Sequence, residues 1–102
     1  MELMEKDLQA RILRDLEQNG AYVIKVVSGN RDGIPDIICL YHGAFIAIEV
    51  KQEGKKPTPL QAIHLERITK AGGLSLCVDS DTAWRSAKKL IREFLRLRWL
   101  GD

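Results

Sequence analysis

No stretch of these 102 residues approaches the roughly 20 consecutive apolar positions that cross a bilayer. Glu2, Glu5 and Lys6 interrupt the start, where a secretory signal needs its apolar core. The expectation is an intracellular protein, in the cytoplasm of a bacterium or of a virus-infected host cell, with no membrane partner. Cysteine is scarce: Cys39 and Cys77 stand alone in apolar segments, without the close CxxC pair that zinc or redox chemistry uses, and both are expected as buried thiols. There is no internal repeat, no low-complexity tract and no Pro-rich linker, so residues 1–102 are expected to form one domain. A chain of this length can bury roughly 60–65% of its unfolded surface, enough for one sheet and a few helices. A large barrel or a cofactor-wrapping fold is excluded, and any active site must be small.

Net charge is only +2, yet it is unevenly placed. Arg85, Lys88, Lys89, Arg92, Arg96 and Arg98 against Glu93 give the segment 85–98 a charge of +5, leaving −3 for the remainder. A basic C-terminal helix of this kind suits a phosphate backbone, where Lys and Arg displace counterions without reading sequence. On charge alone a solvated helix face is the favoured reading.

Met4, Leu8, Ile12, Leu13 and Leu16 recur at helical spacing and Asn19-Gly20 supplies a stop, which predicts a helix over 4–18. Tyr22 to Val27 reads as a strand, followed by a loop from Ser28 to Gly33. Asp36 to Tyr41 and Ala44 to Lys51 flank the two-residue link His42-Gly43 and predict an antiparallel hairpin. Thr58-Pro59 offers an N-cap and a proline at the first position of a helix that runs to about Ala71 and ends at Gly72-Gly73. Leu74 to Val78 is another strand. Ser80 or Asp81 then caps a last helix with Trp84, Ala87, Ile91 and Leu95 on its apolar side. The order αβββαβα predicts an α/β fold, a small mixed sheet flanked by helices.

Most strand residues are apolar, which makes the charged ones informative. Side chains alternate along a strand, so Glu49 and Lys51 share a face while Val50 points to the other. The turn at His42-Gly43 folds Asp36 back toward both. Two carboxylates and an ammonium then meet at one end of a hairpin. Neighbouring carboxylates repel unless a cation binds or one takes a proton, and hard oxygen donors, with the Val50 carbonyl as a third, suit Mg²⁺ or Mn²⁺. A metal there, with Lys51 orienting water or offsetting charge, fits phosphodiester hydrolysis. The same spacing also fits an Asp–Lys–Glu salt-bridge cluster at a strand end.

The surroundings of these residues narrow the choice. Pro35-Asp36 followed by Glu49-Val50-Lys51 matches the motif of the PD-(D/E)xK nuclease superfamily. Glu5-Lys6-Asp7-Leu8-Gln9, Arg31-x-Gly33-Ile34-Pro35-Asp36-Ile37-Ile38, Phe45 to Lys51, and Pro57-Thr58-Pro59-Leu60-Gln61 with Ala71-Gly72-Gly73 together resemble a stand-alone VRR-NUC (virus-type replication-repair nuclease) domain over about residues 4 to 90. The resemblance implies a restriction-endonuclease-like fold and Mg²⁺- or Mn²⁺-dependent cleavage of DNA. Position by position it implies that Asp36 and Glu49 ligate metal, that Lys51 assists the nucleophilic water, that Glu5 contacts metal directly or through water, and that Gln61 closes the site. Stand-alone members resemble Holliday-junction resolvases acting as homodimers on branched DNA, whereas members fused to larger chains act on flaps. With no appended DNA-binding domain expected here, the first comparison is preferred.

The supporting residues have simpler readings too. Glu5 also suits the first helical turn, where its charge meets the helix dipole. Thr58 and Gln61 fit a capping box, which can coexist with a site role. Arg31 is a candidate phosphate clamp, with Gly29 and Gly33 letting a DNA backbone come close, or part of a plain surface loop. Lys55 and Lys56 are candidate phosphate contacts. His64 is expected as a partly buried polar residue and His42 as an exposed turn residue. A dimer interface is expected from Leu95, Leu97, Trp99 and Leu100, unless these close the core. The alternatives to a junction-cutting dimer are a flap-type or nonspecific nuclease, a restriction-type enzyme, for which no base-reading element is evident, and a catalytically silent DNA-binding domain.

Overall fold

The i, i+4, i+8 spacing of Leu8, Ile12 and Leu16 settles which side of the first helix turns inward, and all three are buried. The computed structural model describes residues 4–100, the Leu100 side chain excepted. The elements are α1 (Glu5–Gln18), β1 (Tyr22–Lys25), β2 (Ile37–Tyr41), β3 (Ala44–Val50), α2 (Pro59–Lys70), β4 (Leu74–Val78) and α3 (Asp81–Leu100). The order matches the expectation. β1 is shorter than predicted, ending at Lys25 rather than Val27, although the Val26 N–H still donates to the Asp36 carbonyl at 2.8 Å. Met4 caps α1 and lies exposed, outside the apolar stripe assigned to it.

Local chemistry explains the boundaries. α1 stops in a Schellman arrangement, with Gly20 at φ +90°, its N–H on the Glu17 carbonyl, and the Ala21 N–H on Leu16. His42 and Gly43 both have positive φ, +50° and +80°, as a type I′ hairpin turn requires. Thr58 and Gln61 form a reciprocal capping box at the start of α2. The Ser80 hydroxyl accepts from the Ala83 N–H at 3.1 Å and opens α3.

The sheet order is β1-β2-β3-β4, antiparallel for the first two pairs and parallel for β3 with β4. One face carries Ile37, Cys39, Ile46, Ile48, Val50, Leu76 and Val78 into a core completed by α1 and by Trp84, Ala87 and Ile91 of α3. Each fully buried aliphatic side chain there contributes roughly 1.5–3 kcal/mol. Polar contacts tie the two helices above it: the Trp84 indole N–H donates to Asp15 Oδ2 at 2.8 Å, and Arg11 pairs with Asp81 at 2.7 Å.

The second face is thinly covered. α2 lies over β3 and β4 and has no buried residue of its own. Tyr22, Ile24, Leu40 and Phe45 are left exposed on β1, β2 and the start of β3. This layering corrects one expectation: Cys39 is buried, but Cys77 is exposed, because it sits on the α2 face of the edge strand β4. It also divides the residues assigned to an interface. Leu95 packs against the core, as the alternative reading held, while Leu97 and Trp99 are exposed; the Leu100 side chain lies outside the described residues.

Candidate active site

Two adjacent strands, β2 and β3, deliver Asp36, Glu49 and Lys51 to one end of the sheet. Asp36 directly precedes β2, one residue beyond the Ile37–Ile48 pair, and so stands opposite Glu49. Its Oδ2 accepts the Val50 N–H at 2.8 Å, and its backbone carbonyl accepts the Val26 N–H. Asp36 thereby closes the ends of two strand pairs and leaves its second carboxylate oxygen for other work. On the other side of β3, Glu49 pairs with Cys77, and the Lys51 N–H extends the parallel ladder to the Val78 carbonyl at 2.9 Å.

Glu49 is the exceptional group. It is 2% exposed, and its Oε2 is buried without a hydrogen-bond partner. Burial, then the neighbouring Asp36 carboxylate, pushes its carboxyl up to about 8; Lys51 pulls the other way and Glu5 adds to the rise. An orphaned carboxylate oxygen in such a setting costs about 1–3 kcal/mol until a proton or a cation satisfies it. That requirement fits a hard divalent cation, whose preferred donors are carboxylate oxygens. Among the described residues, no three His, Cys, Asp or Glu side chains already converge as a closed ligand set. The structure brings together Asp36, Glu49 and Lys51, with Glu5 at the margin.

Glu5 is the first residue of α1 and half-buried. It lines an open cleft with Gln9, Lys25, Val26 and Asp36, so both of its readings, dipole partner and site edge, are compatible with its position. Gln61 uses its side-chain Oε1 to accept the Thr58 N–H at 2.9 Å, which commits that atom to the helix cap. Arg31, Lys55 and Lys56 are all exposed in loops. His64 is half-buried, and His42 is exposed and stacked on Tyr41 with ring centroids 4.8 Å apart.

The glycines near Arg31 also meet neighbours within the fold. A Cβ on Gly33 would lie 2.8 Å from Leu60 Cγ and 3.1 Å from the Leu60 carbonyl carbon, and one on Gly29 would collide with Ile34. Gly33 is therefore held to glycine by its packing against the start of α2, whereas the atom facing Gly29 is the movable tip of the Ile34 side chain. Gly33 also has φ +82°. Gly33→Ala is accordingly expected to cost about 1–3 kcal/mol by denaturant titration, because both the backbone conformation and the contact are lost.

Asp79, which the sequence reading passed over, belongs to this end as well. Its Oδ2 accepts the Gly54 N–H at 3.0 Å and anchors the loop that bears Lys55 and Lys56 to the end of β4. Its place just after a strand parallel to the Glu49 strand was the available signal.

No family model matches the chain. A curated relative, "Putative nuclease p44" of Acyrthosiphon pisum secondary endosymbiont phage 1, is 32% identical over 79 residues, covering 76% of this chain and 85% of the relative. A solved structure described as a VRR-NUC domain superposes with a TM-score of 0.72 at 31% identity, over 86% of this chain and 94% of that one. The mixed four-stranded sheet in the order αβββαβα is the restriction-endonuclease-like arrangement of that fold. Agreement in sequence and in strand order over most of both proteins leads to one assignment: the chain belongs to the VRR-NUC family of nucleases.

Proposed function

We propose that the protein is a divalent-metal-dependent endodeoxyribonuclease that acts on branched DNA as a homodimer. The observation that carries the reading is the buried, unpartnered Glu49 oxygen beside Asp36 at the strand end that also bears Lys51. Asp36 and Glu49, joined by the Val50 carbonyl and by Glu5 directly or through water, supply the oxygen donors for Mg²⁺ or Mn²⁺. When bound, the cation polarises a phosphoryl oxygen and acidifies a coordinated water. Lys51 orients the attacking water and offsets the charge that develops on the phosphate. Gln61, which keeps its cap bond to Thr58, is assigned to closing the site from α2, and Arg31, Lys55 and Lys56 to meeting flanking phosphates.

A domain this small covers little more than one scissile phosphate, so cutting two strands of a junction calls for a symmetric pair. Tyr22, Ile24, Leu40 and Phe45 support it. Cross-strand pairing of Tyr22 with Leu40 and of Leu40 with Phe45 makes them one continuous apolar strip, which a second copy can cover. Light scattering is expected to give twice the chain mass, and Leu40→Glu to give the monomer.

The test of the activity is cleavage of labelled four-way junction, flap, single-stranded and duplex DNA with Mg²⁺ or Mn²⁺. Asp36→Asn and Lys51→Ala are each expected to slow cutting about 10²-fold. Unchanged cutting by both variants rejects the site. Equal rates on all four substrates reject the selectivity for branched DNA. Binding without cleavage by the unmodified protein identifies a silent DNA-binding domain.

A further inference from the structure

Helix α3 has three distinct sides. Trp84, Ala87 and Ile91 face the core, Leu90 and Leu97 form an exposed apolar flank, and Arg85, Lys89, Arg92 and Arg96 recur at i, i+4, i+7 and i+11. At 100° per residue these four fall within about 60° of one another, and the stripe is about 16 Å long. All four are exposed. Nearby acidic groups are already engaged: Asp15 takes the Trp84 N–H and Lys88, Asp81 takes Arg11, and Glu93 takes Arg96. Among the described residues, Arg85, Lys89 and Arg92 form no ion pair.

The helix also has a defined direction. It begins two residues after Asp79, at the catalytic end of the sheet, and its far end reaches the hairpin turn, where Arg98 lies 3.4 Å from the Gly43 carbonyl oxygen. The basic stripe therefore leads away from Asp36, Glu49 and Lys51 and is separate from the loop residues Arg31, Lys55 and Lys56. Duplex DNA carries a charge every 1.7 Å or so of axis, which puts about ten phosphates along the length of the stripe. A membrane surface fits less well, since the inner side of α3 is committed to the core and Leu90 and Leu97 point about 120° from the stripe.

We propose that the Arg85–Lys89–Arg92–Arg96 face is a second, sequence-independent backbone platform that holds a double-helical DNA arm remote from the scissile phosphate. This rests on the nuclease reading for the identity of the polyanion. It adds a separate surface and a role for the charge segregation seen in the sequence.

The test uses fluorescence anisotropy in EDTA, in an Asp36→Asn background, with a labelled four-way junction and a 30-base-pair duplex at several salt concentrations. Arg85→Gln/Lys89→Gln/Arg92→Gln is expected to raise Kd at least about 10-fold. It should also make the slope of log affinity against log salt shallower by about 2 to 3, close to 0.9 per lost phosphate contact. Arg67→Gln/Lys70→Gln on α2, checked alongside by melting temperature, is expected to leave the slope unchanged. A wild-type slope and Kd in the triple variant overturn the proposal. A shallower slope here, with no cleavage of any substrate by the wild-type protein in Mg²⁺ or Mn²⁺, would refute the nuclease reading and leave the platform standing. Cleavage with an unchanged slope would do the reverse.

Discussion

Glu49→Gln is expected to lower DNA cleavage by on the order of 10³-fold while raising the melting temperature of the metal-free protein. The two effects share a cause. The Glu49 carboxyl is buried, one of its oxygens has no partner, and burial with Asp36 alongside lifts it from near 4.5 to about 8. Below about pH 4.5 the native and unfolded chains both hold the proton, and the stabilisation is complete; it is lost as pH rises through about 8, because the unfolded chain ionises first. Metal-free wild type therefore loses on the order of 1–3 kcal/mol between about pH 5 and 8. Glutamine at position 49 has nothing to ionise and removes that slope. At pH 8 the variant should melt several degrees higher in EDTA, since 1 kcal/mol moves a domain of this size by about 4–8 °C. Millimolar Mg²⁺ or Mn²⁺ should close the gap by stabilising wild type alone. Thermal melts across pH, with and without metal, check this. A variant that melts lower than wild type in EDTA at pH 8 would show that the Glu49 carboxylate is satisfied by the protein itself.

The seven elements were legible in the sequence because each carries its own local signal. Asn19-Gly20 and Gly72-Gly73 end helices, His42-Gly43 demands a type I′ turn, and Thr58 with Gln61 writes out a capping box. The juxtaposition of Asp36 with Glu49 followed from hairpin arithmetic alone, and the structure adds the Val50 N–H bond that fixes it. What escaped depends on strand order and layer coverage, which no local pattern encodes. Cys77 reads as buried from its apolar neighbours, yet β4 is an edge strand under a helix that covers it only in part. The packing of Gly33 against Leu60 of α2, 27 residues further on, is also invisible in the local sequence. The depth of Glu49 likewise follows from the folding of β2 and β4 against both sides of β3.

Stability is concentrated elsewhere, where Trp84 of α3 meets α1. Trp84 is 2% exposed, packs in the core cluster, donates its indole N–H to Asp15 and lies beneath the Lys88 ammonium, 5.8 Å from the ring centroid. Trp84→Ala removes the largest side chain between the sheet and the two helices and also frees Asp15 from its only indole donor. Truncation of a buried aromatic costs about 3–5 kcal/mol, a large share of the 5–15 kcal/mol that holds a domain together. The melting temperature by far-UV circular dichroism is expected to fall by roughly 15 °C or more. Trp84→Phe retains most of the volume and loses the N–H bond, so its cost should be nearer 1–2 kcal/mol. The contrast between the two variants separates cavity formation from the polar tie. Equal destabilisation by both would place the energy in the Asp15 bond, and a near-neutral alanine variant would mean that α3 is not anchored to the core through this residue.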